Sequence, residues 1–129
     1  MLDAHGRAID YLRLSVTDLC DLRCIYCMPE SGVPHLPHSN ILRVEECIDI
    51  AKTAVELGIR KIRITGGEPL VRRGILEICQ GIGALPGLQE LCITTNGRGL
   101  VDYAVPLRAA GVSRLNISLD TLDPDKYRM

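Results

Sequence analysis

The 129-residue sequence predicts an α/β fold, built as an open α/β sheet or as part of a (β/α) barrel. Short β-like apolar runs alternate with longer stretches of helical periodicity, and glycines follow two of these stretches. Because the unit strand–helix–strand repeats, the strands are expected to be parallel and joined by right-handed crossovers. The predicted strands cover residues 11–17, 61–65, 91–95 and 114–119, and the predicted helices cover residues 44–57, 74–85 and 101–110.

The sequence signals for the helix ends are clear at some positions and weak at others. Gly58 and Gly111 stand where the first and third helices should stop. Pro106 lies inside the third helical stretch, which is therefore expected to kink or to begin near it. Arg43 stands at the start of the first helix, where Ser or Thr would be the better cap. The connection over residues 28–42 has no periodicity and carries Pro29, Pro34 and Pro37, so it is predicted to be a loop beside the site.

Composition narrows the class of protein. The chain is 47% hydrophobic with a formal net charge of −1, which is typical of a single globular domain. The charges are interspersed and no apolar run approaches the roughly 20 residues of a membrane span, so neither nucleic-acid nor membrane binding is indicated. We find no signal peptide pattern and expect a cytoplasmic protein with reduced thiols. Since Phe and Trp are absent, the core must be aliphatic.

Three closely spaced cysteines follow the first predicted strand. Cys20, Cys24 and Cys27 form the pattern C-x-x-x-C-x-Y-C. A cubane iron–sulfur cluster has four irons and usually takes thiolate ligands, so three cysteines leave one iron for an outside ligand. The spacing therefore predicts a cluster with one open iron.

Two other interpretations of the cysteines remain open. A disulfide framework is disfavoured because the gaps within the triplet are too short and nothing indicates secretion. A structural zinc site would need a fourth ligand, which His35 or His38 could supply. The remaining thiols lack ligand spacing and are predicted to be small buried residues, namely Cys47, Cys79 and Cys92.

Further motifs follow the later strands. Gly66-Gly67-Glu68-Pro69 follows the second strand, residues 94–97 (T-T-N-G) close the third, and residues 116–120 (N-I-S-L-D) close the fourth. Paired glycines allow a backbone to approach a ligand closely, although G-G-E-P alone could be a tight turn. Parallel strands place their carboxyl ends at one edge, so these motifs are expected to share that edge with the cysteines.

Two strand arginines are unusual. Arg13 and Arg63 are flanked by apolar neighbours at matching depth in the first two strands. They either point to solvent, the usual position of a strand arginine, or point into a barrel interior and meet an anionic partner. The second arrangement would suit a phosphate-bearing substrate.

The cysteine pattern together with G-G-E-P resembles the radical S-adenosylmethionine (SAM) superfamily. The strings at residues 11–18 and 27–30, with later blocks at 64–70, 94–97 and 116–121, are similar to its GTP 3′,8-cyclase family of molybdenum-cofactor biosynthesis. The resemblance implies a partial (β/α) TIM-like barrel with about four parallel strands here. It also implies a [4Fe–4S] cluster on Cys20, Cys24 and Cys27, with SAM bound to the fourth iron.

Roles carried over from this resemblance cover six further positions. Tyr26, Gly67 and Ser118 would contact SAM, and Arg13, Arg63 and Thr94 would line the GTP side. The implied partners are GTP, an external electron donor and a second copy in a homodimer of the full-length enzyme. No side chain is assigned as a catalytic acid or base.

The resemblance further implies that residues 1–129 are the amino-terminal part of a radical SAM core domain. In the family, a carboxyl-terminal part supplies the remaining strands and a second cysteine triplet. No second triplet occurs between Arg43 and Met129. The 129-residue chain by itself is therefore expected not to convert GTP.

Overall fold

A computed structural model of the chain describes residues 2–29, 31–34 and 36–127. In this part of the chain one parallel sheet forms, with its strands in the order β1-β2-β3-β4. The strands are β1 (Tyr11–Ser15), β2 (Lys61–Thr65), β3 (Glu90–Thr95) and β4 (Arg114–Ile117), and the helices are α1 (Val44–Glu56), α2 (Ile75–Gly83), α3 (Leu100–Ala109) and α4 (Pro124–Tyr127). Short 3₁₀ turns cover His38–Asn40 and Pro69–Val71.

The predicted α/β class and the parallel strand order are confirmed. Each predicted strand and helix is present, with ends that differ by one or two residues. β1 and β4 each end two residues earlier than predicted, although Val16 N and Ser118 N still donate to the Thr65 and Thr95 carbonyls of the neighbouring strands at 2.9 Å. Residues of α1, α2 and α3 form one apolar cluster with one face of the sheet, and within the described residues no strand side chain of the opposite, open face belongs to that cluster. This is the arrangement expected of a partial barrel.

The core lies between the sheet and its helices. Leu14 pairs in register with Ile64, which pairs with Ile93, and all three side chains are buried on the helix face. Because side chains alternate along a strand, this row continues the apolar layer across three strands. The helices complete the layer with Cys47, Ala51 and Val55 of α1, Ile75, Ile78, Cys79 and Ile82 of α2, and Leu107 of α3.

The opposite face carries polar side chains. Arg13 is the register partner of Arg63, which is the partner of Cys92, which in turn is the partner of Arg114. The same two-residue period that buries the isoleucines therefore directs the arginines away from the helices.

Two residues in the helices are unusual at their positions, Pro106 in α3 and Arg43 before α1. α3 begins at Leu100 and runs through Pro106, so the expectation that it begins near this proline is wrong. The missing N–H leaves the carbonyl of Asp102 without a helical partner, and Asp102 lies on the exposed side where water can bind it. Arg43 occupies the N-cap position of α1 without a side-chain cap hydrogen bond, and the Glu46 carboxylate accepts a hydrogen bond from the Arg43 backbone N–H at 2.7 Å.

The three isolated cysteines are buried, as predicted. Cys47 and Cys79 are fully buried in the core, and burial raises the pKa of Cys79 to about 12. Cys92 is also buried, but it lies on the polar face beside Glu90. Within the described residues no helix is long and apolar enough to cross a membrane.

Core packing predicts a large difference between two aliphatic truncations. Ile64→Ala removes a fully buried side chain and should lower the free energy of unfolding by about 2–5 kcal/mol. Val101→Ala removes a side chain that is 92% exposed and should change it by less than about 0.5 kcal/mol. Urea unfolding monitored by circular dichroism measures both, and equal losses would contradict this assignment of the core.

Candidate functional site

Four chain segments meet at the carboxyl edge of the sheet. They are the cysteine loop after β1 (residues 18–28), the G-G-E-P segment after β2, the T-T-N-G segment that ends β3, and the segment that follows β4. Hydrogen bonds join the cysteine loop to each of the other three. The predicted gathering of motifs at one edge is therefore present in the structure.

The glycine pair lets two backbones touch. Gly67 donates its N–H to the Thr17 carbonyl at 2.8 Å, and Glu68 donates to the Leu19 carbonyl at 2.7 Å. A methyl group at Gly66 would lie 2.5 Å from the Thr17 carbonyl oxygen, and one at Gly67 would overlap the Leu19 carbonyl. Glycine is required here because any side chain would displace the base of the cysteine loop.

Glu68 is a buried carboxylate that joins two strand ends. It is 2% exposed and accepts hydrogen bonds from Leu70 N at 3.0 Å, Thr95 Oγ1 at 2.7 Å and Asn96 N at 2.6 Å. Three donors offset the loss of water around the charge. The sequence patterns above assign no role to Glu68, although an acidic residue between a glycine pair and the apolar Pro69-Leu70 is a signal in the sequence that points to it.

The first half of the cysteine loop is held from the end of β3. Asn96 Nδ2 donates to Asp21 Oδ1 at 2.7 Å, and an Arg98 guanidinium nitrogen donates to the Asp21 carbonyl at 2.8 Å. The same guanidinium nitrogen lies 3.4 Å from Asp21 Oδ2. Both the backbone and the side chain of Asp21 are therefore fixed.

The second half of the loop is held from the end of β4. The Tyr26 hydroxyl lies 3.1 Å from each carboxylate oxygen of Asp120 and donates to that group. This hydrogen bond, with the negative charge of Asp120, raises the pKa of Tyr26 to about 12. The ring itself is 68% exposed, so its face is available to a ligand.

The three loop cysteines are free thiols that lie within electrostatic reach of one another. Cys20 and Cys24 are half-buried and Cys27 is exposed. Desolvation, followed by the negative charges of Asp120, Cys27 and Cys20, raises the pKa of Cys24. Locally the loop folds on itself, because Cys27 N donates to the Cys24 carbonyl at 2.9 Å and Leu22 N donates to Cys20 Sγ at 3.4 Å.

The described residues contain no group of three or more His, Cys, Asp or Glu side chains placed to hold a single metal ion. The zinc alternative relies on His35, which lies outside the described residues, or on His38, whose side chain does too. A cubane cluster makes a different demand, since each thiolate binds its own iron. Three free thiols carried by one loop, with the third exposed, suit that demand.

The open face below this edge holds the residues expected on the substrate side. Arg13 is exposed and Arg63 is half-buried, with its guanidinium carbon 5.6 Å from the centre of the Tyr11 ring. Arg63 Nε and Thr94 Oγ1 are buried polar atoms for which the described structure provides no hydrogen-bond partner. Ser118 follows β4 and is exposed, with its N–H donating to the Thr95 carbonyl at 2.9 Å.

Comparison with known protein families assigns the chain to one of them. A family model described as the radical SAM superfamily matches residues 14–129. The chain belongs to the radical SAM superfamily. Membership implies a [4Fe–4S] cluster and SAM as cofactors, and the free thiols of the exposed loop fit the cluster.

Curated relatives are similar over nearly the whole chain. The GTP 3′,8-cyclase of Petrotoga mobilis is 56% identical over 128 residues, which are 99% of this chain and 40% of that protein. The GTP 3′,8-cyclase of Pseudomonas entomophila is 59% identical over 128 residues, which are 99% of this chain and 38% of that protein. The chain thus spans about two fifths of the length of these relatives.

A solved structure is similar in fold. The crystal structure of BtrN in an open conformation superposes with a TM-score of 0.64 at 18% identity. The match covers 93% of this chain and 54% of that one. At this identity the likeness shows the fold alone, and it supports the partial TIM-like barrel.

The contact between Gly67 and Leu19 generates a testable prediction. Gly67→Ala should displace the cysteine loop, lower the free energy of unfolding by about 1–3 kcal/mol and speed amide exchange in residues 17–22. The matched control is Gly99→Ala, because a methyl group there would meet Leu70 side-chain carbons at 3.6 Å and a Tyr103 ring carbon at 3.7 Å, which are ordinary contacts. Urea unfolding and hydrogen–deuterium exchange measure both variants, and indistinguishable results would sink the prediction.

Proposed function

We propose that the chain is the amino-terminal, cofactor-binding part of a radical SAM core domain in a GTP 3′,8-cyclase, a lyase of molybdenum-cofactor biosynthesis. The reaction would convert GTP to (8S)-3′,8-cyclo-7,8-dihydroguanosine 5′-triphosphate. The observation that carries the proposal is the position of Arg13 and Arg63, which pair in register on the open face of the sheet whose carboxyl edge bears the cysteine loop. The similarity to GTP 3′,8-cyclases over 99% of the chain supports it.

In this proposal Cys20, Cys24 and Cys27 hold the cluster and leave one iron for SAM. When bound, the two cofactors would supply one-electron chemistry, the reductive cleavage of SAM to methionine and a 5′-deoxyadenosyl radical. The chain itself positions these groups. Residues that would contact SAM are Tyr26, whose ring is exposed beside the cysteines, Gly67 at the base of the loop, and Ser118 after β4.

The arginines would bind the triphosphate of GTP. Neither Arg13 nor Arg63 forms an ion pair within the described residues. Burial raises the pKa of Cys92, and the nearby Arg63 guanidinium offsets a part of that rise. Guanidinium groups bind phosphate oxygens bidentately, and the Tyr11 ring limits the rotation of Arg63. Thr94 Oγ1, which is buried without a partner in the described part, would hydrogen-bond to the same ligand.

An external donor would supply the electron, and the outer side of the cysteine loop is accessible to it. Ile25 is 89% exposed and Cys27 is exposed as well. We place the protein in the cytoplasm, where thiols remain reduced, and we expect a homodimer in the full-length enzyme.

Cluster binding predicts two classes of cysteine. Alanine at any member of the loop triplet should abolish cluster assembly, whereas alanine at a buried cysteine should leave iron content intact even where it costs stability. Anaerobic reconstitution followed by iron and sulfide analysis measures this. The loop variants are Cys20→Ala, Cys24→Ala and Cys27→Ala, and the controls are Cys47→Ala, Cys79→Ala and Cys92→Ala. Equal iron loss in both groups would show that the triplet is not the ligand set.

Substrate binding predicts a specific role for Arg63. Arg63→Ala should weaken GTP binding by about 10- to 150-fold, because a charged hydrogen bond contributes about 1.5–3 kcal/mol. It should leave guanosine binding and cluster content unchanged. Arg108→Ala is the control, since it removes an exposed guanidinium from α3 on the helix side of the sheet. Anaerobic equilibrium dialysis against GTP and guanosine distinguishes these outcomes. Unchanged GTP affinity in Arg63→Ala would favour a radical SAM enzyme with a different substrate.

A further inference from the structure

Asp21 is held more firmly than its exposed position suggests. It lies inside the cysteine triplet, next to Cys20, and receives the two hydrogen bonds and the ion pair from Asn96 and Arg98. One contact is to its backbone carbonyl and the others are to its carboxylate. A residue held at both groups cannot rotate without breaking charge-assisted bonds.

The two residues that hold Asp21 are themselves anchored. Asn96 N donates to the buried Glu68 carboxylate at 2.6 Å, and Asn96 Oδ1 accepts from Arg98 N at 3.0 Å. Gly97 N donates to Thr95 Oγ1 at 3.0 Å, which closes the turn. Asn96 and Arg98 therefore project from a fixed turn at the end of β3, and we call this pair the Asp21 clamp.

The other contacts of the loop act on either side of the segment that the clamp holds. In the described part of the chain, the hydrogen bonds that tie residues 20–25 to another strand end come from Asn96 and Arg98. Arg23 donates only to the carbonyls of Cys20 and Leu22, which lie in the same loop. The Glu68–Leu19 bond holds the peptide before Cys20, and the Tyr26–Asp120 bond acts beyond Cys24, so the clamp is the contact that holds the segment between them.

We propose that Asn96 and Arg98 are positioning residues that hold Cys20 in place for cluster assembly. This rests on the proposed role of Cys20 as a cluster ligand. Arg98 also contributes charge, because its guanidinium lies 3.4 Å from the Asp21 carboxylate and so neutralises a negative charge next to Cys20. The clamp thus acts through Asp21, without contact to the cofactors themselves.

The test compares Arg98→Ala with a matched ion-pair variant. Arg98 pairs with Asp21 at 3.4 Å with side-chain exposures of 53% and 33%, and Arg114 pairs with Glu90 at 3.3 Å with exposures of 60% and 23%. Arg98→Ala should increase the deuterium uptake rate of residues 20–25 in the metal-free chain roughly threefold or more, and it should slow anaerobic cluster assembly. Arg114→Ala should leave both rates unchanged.

Two further variants separate positioning from general stability. Arg98→Lys restores the charge beside Asp21 without the guanidinium fork. It should therefore return the deuterium uptake rate of residues 20–25 and the rate of cluster assembly part of the way to the wild-type values. Asn96→Asp keeps the acceptor for Arg98 N but places a carboxylate opposite Asp21, so it should loosen the loop. Exchange in α1 serves as the check that each variant is folded.

The outcomes are distinct. Wild-type exchange in the loop of Arg98→Ala, or equal acceleration in Arg114→Ala, would overturn the proposal. Failure of lysine to recover either rate would also overturn it. If the wild-type chain assembles no cluster, the proposed function fails, while the exchange measurements still decide whether the clamp orders the loop.

Discussion

The arrangement at the carboxyl edge depends on one buried carboxylate. Glu68 is removed from water and is stabilised by three donors that come from two different segments, its own 3₁₀ turn and the end of β3. An ionised carboxylate in such a place is tolerated only when its acceptor sites are filled, so the donors and the carboxylate fix one another. Through Asn96 this constraint extends to Asp21 and so to the cysteines.

Close approach of two backbone segments also holds the cysteine loop in place. The backbone at Gly66 and Gly67 lies against Thr17 and Leu19, and two hydrogen bonds cross that contact. The loop that carries the thiols is thus tied to the end of β2 by backbone atoms and to the ends of β3 and β4 by side chains. A cluster site needs its ligands held before the metal arrives, and these ties hold the loop without using the thiols themselves.

The same two-residue period along the strands produces both the apolar core and the polar open face. Along β2, Ile62 and Ile64 face the helices while Lys61, Arg63 and Thr65 face the open side. A strand can therefore carry an arginine here, because within the described residues the helices of the apolar cluster lie on the other face of the sheet. Charge that would be costly in the core is available at this face for an anionic ligand.

The sequence by itself determined the strand and helix order, the parallel connections and the cysteine triplet, because each is encoded in local periodicity or spacing. It also determined that Cys47 and Cys79 are core residues. It could not determine the face on which Arg13 and Arg63 lie. Side chains alternate between the two faces of a strand, and the local pattern does not say which face the helices cover. Nor could it show that Glu68, Asn96 and Asp21 form one network, because these residues are up to 75 positions apart and meet only when parallel strands align their ends. Only the tertiary structure decided those contacts, for a hydrogen bond between distant segments depends on strand register, which local sequence does not specify.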